Sequence, residues 1–177
     1  MSSKHVIIEN YNNDWPLTFL ELQEILKEHL GDLALSIEHV GSTSVPGLAA
    51  KPIIDLDIVI DSMELISQVI RKLDNLGYTH EGNLGIENRE AFARSDENVP
   101  YTKVMNRKAE HHLYVCSKES DALLKHIIFR DILRQQPHLI EAYSNLKKDL
   151  AKRYKDNREG YTKGKTEFVT AVIREYK

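Results

Sequence analysis

The sequence predicts a mixed α/β fold, with a β-sheet flanked by helices over about residues 1–116 and a helical part over about residues 117–177. In the first part, short apolar runs rich in β-branched residues alternate with amphipathic helical segments. In the second part, apolar residues recur with the helical period alone. No linker-like stretch separates the two parts, so we expect a single domain over residues 1–177.

The first part opens with a predicted strand, "HVIIEN" (residues 5–10), followed by a helix. Asp14 as the cap, Pro16 in the first turn and Gly31 as the stop predict that helix over residues 15–30. The other elements of this part follow the strand or helix period: strands at 33–40, 52–60, 78–82, 89–95 and 111–116, and a helix at 62–76.

The second part is predicted to contain three helices. The first covers residues 118–136, and Pro137 opens the second, whose apolar stripe includes Tyr143 and Leu150. The segment "DNREGYTKGK" (156–165) is typical of a loop, and residues 166–176 predict the last helix.

Composition and charge exclude several classes of protein. The chain of 177 residues is 41% hydrophobic and 29% charged, enough apolar material for a core. Its net charge of −3 argues against nucleic acid or an anionic membrane as a partner. Cys116 is the one cysteine, which excludes an internal disulfide and a cysteine-based zinc site. No run of 18 apolar residues and no signal-like N-terminus are found, so we expect a cytoplasmic protein.

Two aspartates interrupt the apolar strand "PIIDLDIVI". Side chains alternate between the faces of a strand, so Asp55 and Asp57 project from one face, roughly 6–7 Å apart. Two carboxylates at this distance repel each other and resist burial, and a divalent cation such as Mg²⁺ or Mn²⁺ would relieve both problems. The alternative is a hydrated face whose aspartates pair with nearby Lys or Arg residues.

A Gly-Ser turn precedes this strand. Gly41 directly follows a predicted strand, and the backbone N–H groups of the turn, with the hydroxyls of Ser42 and Ser44, make a plausible phosphate cradle. No G-K-[ST] follows, so the turn is not a Walker A loop, and G-x-S-x-G is absent. The alternative is a turn whose Ser and Thr side chains bind their own backbone.

The two elements together resemble a known signature: Gly-Ser, twelve residues, then Asp-Leu-Asp. This is similar to the polymerase-β-like nucleotidyltransferase superfamily, and "HVGSTSVPGLAAKPIIDLDI" resembles its GrpB-like branch closely. "GIENREAF", "HHLYV" and "FRDILRQQP" resemble later motifs of that family in the same order, and Tyr161, Lys165 and Phe168 fit its C-terminal helix. The resemblance covers nearly the whole chain and implies a nucleotidyltransferase-like fold.

The resemblance also implies an enzyme that transfers a nucleoside monophosphate from a nucleoside triphosphate to an unknown acceptor. Gly41 and Ser42 would cradle phosphates, and Asp55 and Asp57 would hold Mg²⁺ (or Mn²⁺). In the superfamily, a third carboxylate from a neighbouring strand usually completes the site and can act as a base. The matching strand here is "HHLYV", so His112 could ligate metal or act as a base in its place.

Basic residues add further candidates for phosphate binding. Arg130 and Arg134 are four residues apart on one predicted helix and continue its apolar face, so both could reach a pocket rim. The other candidates are Lys51, Arg89 and Lys165. Two alternatives to the enzyme remain. One is a non-catalytic protein of the same fold that binds a nucleotide or phosphometabolite. The other is a protein-interaction module, which predicts an exposed apolar patch on residues 137–177.

Overall fold

A five-stranded mixed β-sheet organises the fold in the computed structural model, which describes residues 5–176. The strands are β1 (Ser36–Val40), β2 (Ile54–Ile60), β3 (Tyr78–Gly82), β4 (Arg89–Arg94) and β5 (His111–Ser117), and the helices are α1 (Trp15–Leu30), α2 (Ile66–Asn75), α3 (Asp121–Gln135), α4 (Pro137–Arg153) and α5 (Arg158–Tyr176). The strand order is β1-β2-β5-β4-β3. The central pair, β2 and β5, is parallel, and the other neighbours are antiparallel.

The aliphatic face of β2 lies in the main core. Ile54, Leu56 and Ile58 are at most 2% exposed and pack in one cluster with the buried residues of α1 and α2. Leu22 and Leu26 of α1 belong to this cluster, as their spacing predicts. Burying each such side chain stabilises the fold by about 1.5–3 kcal/mol, so this face fixes the position and register of β2.

The opposite face of the sheet meets the C-terminal helices. Val59 and Cys116 on this face pack against Leu123 of α3. A separate cluster joins Val45, which follows β1, to Tyr143 of α4. The polar side chains of β2 therefore lie between the sheet and the helices α3 to α5.

Two predicted elements differ in the structure. Residues 5–10 do not form a strand, because only an isolated bridge joins Glu9 to Ala50, and Val6 packs instead against Leu150 and Tyr161. The predicted loop at 156–165 is wrong from residue 158 onward, since α5 begins at Arg158.

Two glycines explain why the sequence predicted a loop where α5 begins. Gly164 disfavours a helix by about 1 kcal/mol relative to alanine. In the structure, however, a Cβ on Gly164 would lie 2.6 Å from Leu150, and a Cβ on Gly160 would lie 2.5 Å from Tyr154. The missing side chains therefore let α5 approach α4 closely, and tertiary packing overrides the local preference.

Neither a membrane span nor the predicted apolar patch is found in the described residues. No helix within residues 5–176 is long and apolar enough to cross a membrane. The interaction module predicted exposed apolar residues over 137–177, and this is wrong for the described part, 137–176. The exposed large hydrophobic side chains lie elsewhere: Ile7, Leu17, Leu20, Leu35, Leu84, Ile86, Val104, Met105 and Leu124.

Candidate functional site

The two aspartates of β2 lie side by side on the face covered by the C-terminal helices. His112 and Tyr114 of β5 lie opposite Asp55 and Asp57 in the parallel register, and Glu38 of β1 lies opposite Asp57 on the other side. The Asp57 side chain is fully buried, whereas that of Asp55 is 31% exposed. The strand next to β2 thus presents a histidine and a tyrosine to the aspartates.

Each aspartate is held by a histidine. Nδ1 of His112 donates to Oδ1 of Asp55 at 3.0 Å, and Nδ1 of His126 on α3 donates to Oδ2 of Asp57 at 2.7 Å. Burial lowers the pKa of His126, but the hydrogen bond and negative charge of Asp57 outweigh this effect, so its pKa is raised overall. These contacts fix both carboxylates in orientation.

The carboxylate oxygens of Asp55 and Asp57 suit a divalent cation whose remaining ligands come from a substrate. Oδ1 of Asp57 is buried without a hydrogen-bond partner, so this acceptor lacks the partner that buried polar atoms usually have. Within residues 5–176, no group of three or more His, Cys, Asp or Glu side chains is arranged to hold a metal. Mg²⁺ commonly binds one or two carboxylates and takes its other ligands from substrate phosphates and water, so Asp55 and Asp57 suit it.

The Gly-Ser turn lies directly against Asp55. Gly41 has φ +73°, and a Cβ at this position would be 2.2 Å from Oδ2 of Asp55. A short 3₁₀ turn follows at Ser42–Ser44. Arg134 donates from Nε and Nη2 to the carbonyl oxygen of Ser44, at 3.0 and 2.8 Å. Glycine is therefore required here for both backbone conformation and space, and Arg134 supports the turn from α3.

Arg130 and Arg89 also lie near the aspartates. Nη1 of Arg130 donates to Oε2 of Glu38 at 2.9 Å and to the carbonyl oxygen of His39 at 3.1 Å. The Arg89 guanidinium lies over the Tyr114 ring, 4.4 Å from its centroid. Protein atoms thus engage the Arg130 guanidinium through hydrogen bonds, whereas Nε of Arg89 is buried without a hydrogen-bond partner. Phosphate binding by Arg89, Arg130 or Arg134 stays a prediction.

A cationic cavity opens beside Asp55, and we call it the lysine cavity. Its volume is about 200 Å³. Besides Asp55, Ser42 and His112, its wall includes four cations: Lys51, Lys147, Arg158 and Lys165. The structure therefore brings the predicted Lys51 and Lys165 to Ser42 of the turn and to Asp55, and adds Lys147 and Arg158.

A second cavity, which we call the aromatic cavity, adjoins the first. Its volume is about 290 Å³, and it shares Ser42, Asp55 and Lys165 with the lysine cavity. Phe129 and Tyr143 line it, with His126, Lys125 and Arg130 at its polar side. An outer cavity of about 490 Å³ shares Lys51, His112 and Arg158 with the lysine cavity and includes Glu9 and Glu110. Asp55 therefore lines both the lysine cavity and the aromatic cavity, whereas Asp57 lines none of these three cavities.

Sequence reasoning missed His126 and Lys147. Both carry a weak signal in their helical positions: Lys147 lies four residues after Tyr143 and three before Leu150, on the buried stripe of α4. His126 lies four residues before Arg130 on α3. A polar residue among the buried positions of a helix indicates a polar environment there. The sequence does not say which strand the residue packs against.

Comparisons with known proteins identify the family of this chain. The family model described as GrpB protein matches residues 5–175. The chain is 36% identical over 159 residues to UPF0157 protein YqkA of Bacillus subtilis, which covers 90% of this chain and 43% of that protein. It is 30% identical over 171 residues to glutamate-rich protein GrpB of Alkalihalophilus pseudofirmus, with 96% and 95% covered. The chain thus spans less than half the length of YqkA and nearly all of the second relative.

Solved structures identify the fold. The crystal structure of conserved protein GrpB from Enterococcus faecalis has a TM-score of 0.79 and 29% identity, and covers 96% of this chain and 99% of that one. The structure of Cid1 in complex with the UTP analog UMPNPP has a TM-score of 0.56 and 13% identity, and covers 88% of this chain and 48% of that one. The second likeness concerns the fold alone, which is that of a nucleotidyltransferase. By sequence and by structure, this chain belongs to the GrpB protein family.

Proposed function

We propose that this chain is a Mg²⁺-dependent nucleotidyltransferase that transfers a nucleoside monophosphate from a nucleoside triphosphate to an acceptor. One observation carries the proposal: Asp55 and Asp57 share a face of β2, and the buried Oδ1 of Asp57 has no partner. The Gly41 turn lies against Asp55, and the lysine cavity opens beside it. Carboxylates, a polar turn and clustered cations are together the groups that nucleotidyl transfer requires.

The residues divide the task of binding the substrate. Asp55 and Asp57 would hold Mg²⁺, which when bound neutralises phosphate charge and stabilises the leaving pyrophosphate. Ser42 lies at the junction of the lysine and aromatic cavities, where its hydroxyl and the turn would orient the phosphate chain. His126 keeps Asp57 in the orientation that leaves Oδ1 free.

His112 is suited to accept the acceptor's proton. Its Nδ1–H is bonded to Asp55, so in the neutral tautomer the lone pair is on Nε2. His112 lines both the lysine cavity and the outer cavity, through which an acceptor would enter. The acceptor oxygen or nitrogen then bonds to the α-phosphorus as its proton moves to Nε2. The bond from the α-phosphorus to the bridging oxygen breaks, and pyrophosphate leaves.

Thermal unfolding with ligands tests the binding step first. We expect Mg²⁺ together with one or more nucleoside triphosphates to raise the melting temperature, since a ligand at about 100 times its dissociation constant stabilises by about 2.7 kcal/mol. The panel includes UTP, ATP and GTP, because Cid1 structures contain a UTP analog, MgATP and MgGTP. Asp55→Asn and Asp57→Asn preserve size and remove the metal-binding charge, so the metal-dependent shift is expected to vanish.

Pyrophosphate release with candidate acceptors then tests transfer itself. His112→Asn keeps a side-chain amide beside Asp55 but removes the basic nitrogen, and we expect it to bind nucleotide while losing most turnover, typically about 10²–10⁴-fold. Absence of any nucleotide-dependent stabilisation at millimolar concentration would overturn the proposal.

A second candidate function is nucleotide binding without transfer. It is favoured by β5, which presents His112 and Tyr114 opposite the aspartates where a third carboxylate would complete the usual site. The two functions differ in one result. A binding protein shows metal-dependent stabilisation by a nucleotide but releases no pyrophosphate with any acceptor.

A further inference from the structure

The amine of Lys147 is buried without a polar partner. Lys147 is 2% exposed, and its Nζ is buried without a hydrogen-bond partner. Lysines are almost never fully buried unless they are paired, because desolvation of the ammonium is costly. The fold therefore tolerates a costly amine on the buried stripe of α4, between Tyr143 and Leu150.

The packing of Lys147 holds its amine beside the lysine cavity. Nζ lies 4.6 Å from the centroid of the Tyr143 ring, which belongs to the preceding turn of α4. The ring positions the nitrogen but offers it no acceptor oxygen. Lys147 also lines the lysine cavity, whose volume is about 200 Å³. The nitrogen is thus fixed in position at a cavity and makes no hydrogen bond there.

Other cations meet Lys147 at this cavity. Nζ of Lys51 and Nζ of Lys165 each lie 4.7 Å from the centroid of the Tyr161 ring. Burial and then the charge of Lys165 lower the pKa of Lys147 to about 7, an effect that Asp55 opposes and Lys51 reinforces. Near neutral pH, a large share of this amine is therefore uncharged. The ionisable residues that line the cavity with Lys147 are Lys51, Asp55, His112, Arg158, Tyr161 and Lys165.

Lys147 has the surroundings of a nucleophilic amine. Lysines become nucleophiles when they are desolvated or lie next to other cations, and both conditions hold here. An electrophile that reaches so buried a nitrogen must be small and uncharged, because burial of a charge is costly. The cations at the cavity then favour a product that is an anion. Carbon dioxide meets both requirements, since its adduct with an amine is a carbamate.

The reaction of this amine needs no co-reactant besides carbon dioxide. A bond forms between Nζ and the carbon atom as a C–O π electron pair moves onto oxygen, and the nitrogen releases a proton to solvent. The carbamate carries a single negative charge, shared by its oxygens. At about 30 Å³ per water, a cavity of about 200 Å³ has room for the added group.

We propose that Lys147 is a carbon dioxide site, whose Nζ forms a reversible carbamate that the other cations of the lysine cavity neutralise. Those cations are Lys51, Arg158 and Lys165, and the anions that they would face are the carbamate and Asp55. The modification removes a buried ammonium and fixes an anion among the neighbouring cations. The inference goes beyond the proposed function and does not rest on it, since it involves neither nucleotide nor metal.

NMR of the protein in buffer with ¹³C-labelled bicarbonate, without nucleotide or divalent cations, tests the site. We expect a protein-bound carbamate signal in the wild type that Lys147→Met abolishes. Lys152→Met is the matched control, because Lys152 is an exposed lysine of the same helix that does not line the lysine cavity. Its signal should match that of the wild type. Alkylation of the carbamate by a trialkyloxonium salt, followed by peptide mass spectrometry, should locate the adduct on Lys147.

A second variant tests the cations while Lys147 stays in place. Lys165→Met removes a cation beside the carbamate and also favours the protonated form of Lys147. Both effects weaken the adduct, so we expect the bicarbonate concentration for half occupancy to rise about tenfold. Carbamate formation requires the uncharged amine, so occupancy should fall as the pH falls below about 7. A lysine with an ordinary pKa, about 10.4, would need alkaline pH instead.

The outcomes decide the inference without reference to the transferase. If no carbamate signal forms in bicarbonate-saturated buffer, or if Lys147→Met and Lys152→Met give equal signals, the site is overturned. Unchanged half occupancy in Lys165→Met would overturn the role given to the cations. An adduct that forms only with α-keto acids, and that borohydride fixes as an amine, would identify an imine-forming lysine and overturn the carbamate. None of these results depends on the metal-dependent effect of nucleotides, so the two proposals are tested separately.

Discussion

Replacing Gly41 by alanine tests whether the turn and Asp55 form one site. Gly41 has φ +73° and ψ −175°, a conformation that costs a residue with a side chain about 1–3 kcal/mol. The new Cβ would lie 2.2 Å from Oδ2 of Asp55 and 3.0 Å from its Cβ. Rotation of the carboxylate relieves only the first contact, so the turn or β2 must also move.

Gly31→Ala is the matched control, because Gly31 has φ +56° and nothing lies within 4 Å of its added Cβ. We expect Gly31→Ala to lower the free energy of unfolding by about 1–3 kcal/mol. Gly41→Ala should lower it by about 1–3 kcal/mol more, the usual cost of overpacking. At this chain length each kcal/mol corresponds to about 2–4 °C in Tm.

Urea unfolding measures the loss in the free energy of unfolding for each variant. Thermal shifts with Mg²⁺ and nucleotide measure whether the site still binds them. The ligand-induced shift should persist in Gly31→Ala and disappear in Gly41→Ala, because displacement of Asp55 breaks its 3.0 Å contact with His112. Equal losses of stability, with the shift intact in both variants, would refute the close approach of the turn to Asp55.

Three further predictions concern stability. Burial lowers the pKa of His111, whose Nε2 accepts from the Tyr78 hydroxyl at 2.7 Å, to about 4. The contribution of neutral His111 to the free energy of unfolding is therefore complete above about pH 6.5 and is lost as the pH falls toward 4. Urea unfolding should detect up to about 3 kcal/mol of acid destabilisation that His111→Asn reduces. The depressed pKa of Lys147 costs stability below about pH 7, and this cost disappears as the pH rises toward 10.5. Lys147→Met should therefore be more stable than the wild type at pH 7, by up to about 5 kcal/mol, and the difference should shrink by pH 10. Gly164→Ala should destabilise by about 1–3 kcal/mol, although alanine favours helices, because its Cβ would lie 2.6 Å from Leu150; a gain in Tm would contradict the close helix contact.

Much of the fold followed from periodicity. The alternation in β2 predicted which face carries Asp55 and Asp57, and the structure places the aliphatic residues of the other face in the core. The resemblance to the family implied that β5 neighbours β2 and brings His112 to the aspartates, and His112 lies opposite Asp55. The prediction for β2 succeeds because a strand has only two faces, and one apolar face determines the other.

Partners distant in sequence could not be predicted. His126 and Asp57 are 69 residues apart, and their contact depends on how α3 crosses the sheet. The start of α5 depends on packing against α4, for which Gly164 is a requirement and not a break. Local preference cannot reveal either relationship, because the deciding contacts are between elements.

The features that suit the site for a ligand also cost stability in its absence. The buried Oδ1 of Asp57 and the buried Nζ of Lys147 both lack hydrogen-bond partners, and each such group costs about 1–3 kcal/mol or more when charged. An apolar core residue at position 147 would satisfy the fold better, since it lies on the stripe between Tyr143 and Leu150. A fold selected for stability alone would remove both groups. Under the proposed function, a metal ion held by the aspartates and the phosphate groups of the nucleotide would supply the missing partners. Metal and nucleotide together should therefore stabilise the protein more than either of them alone.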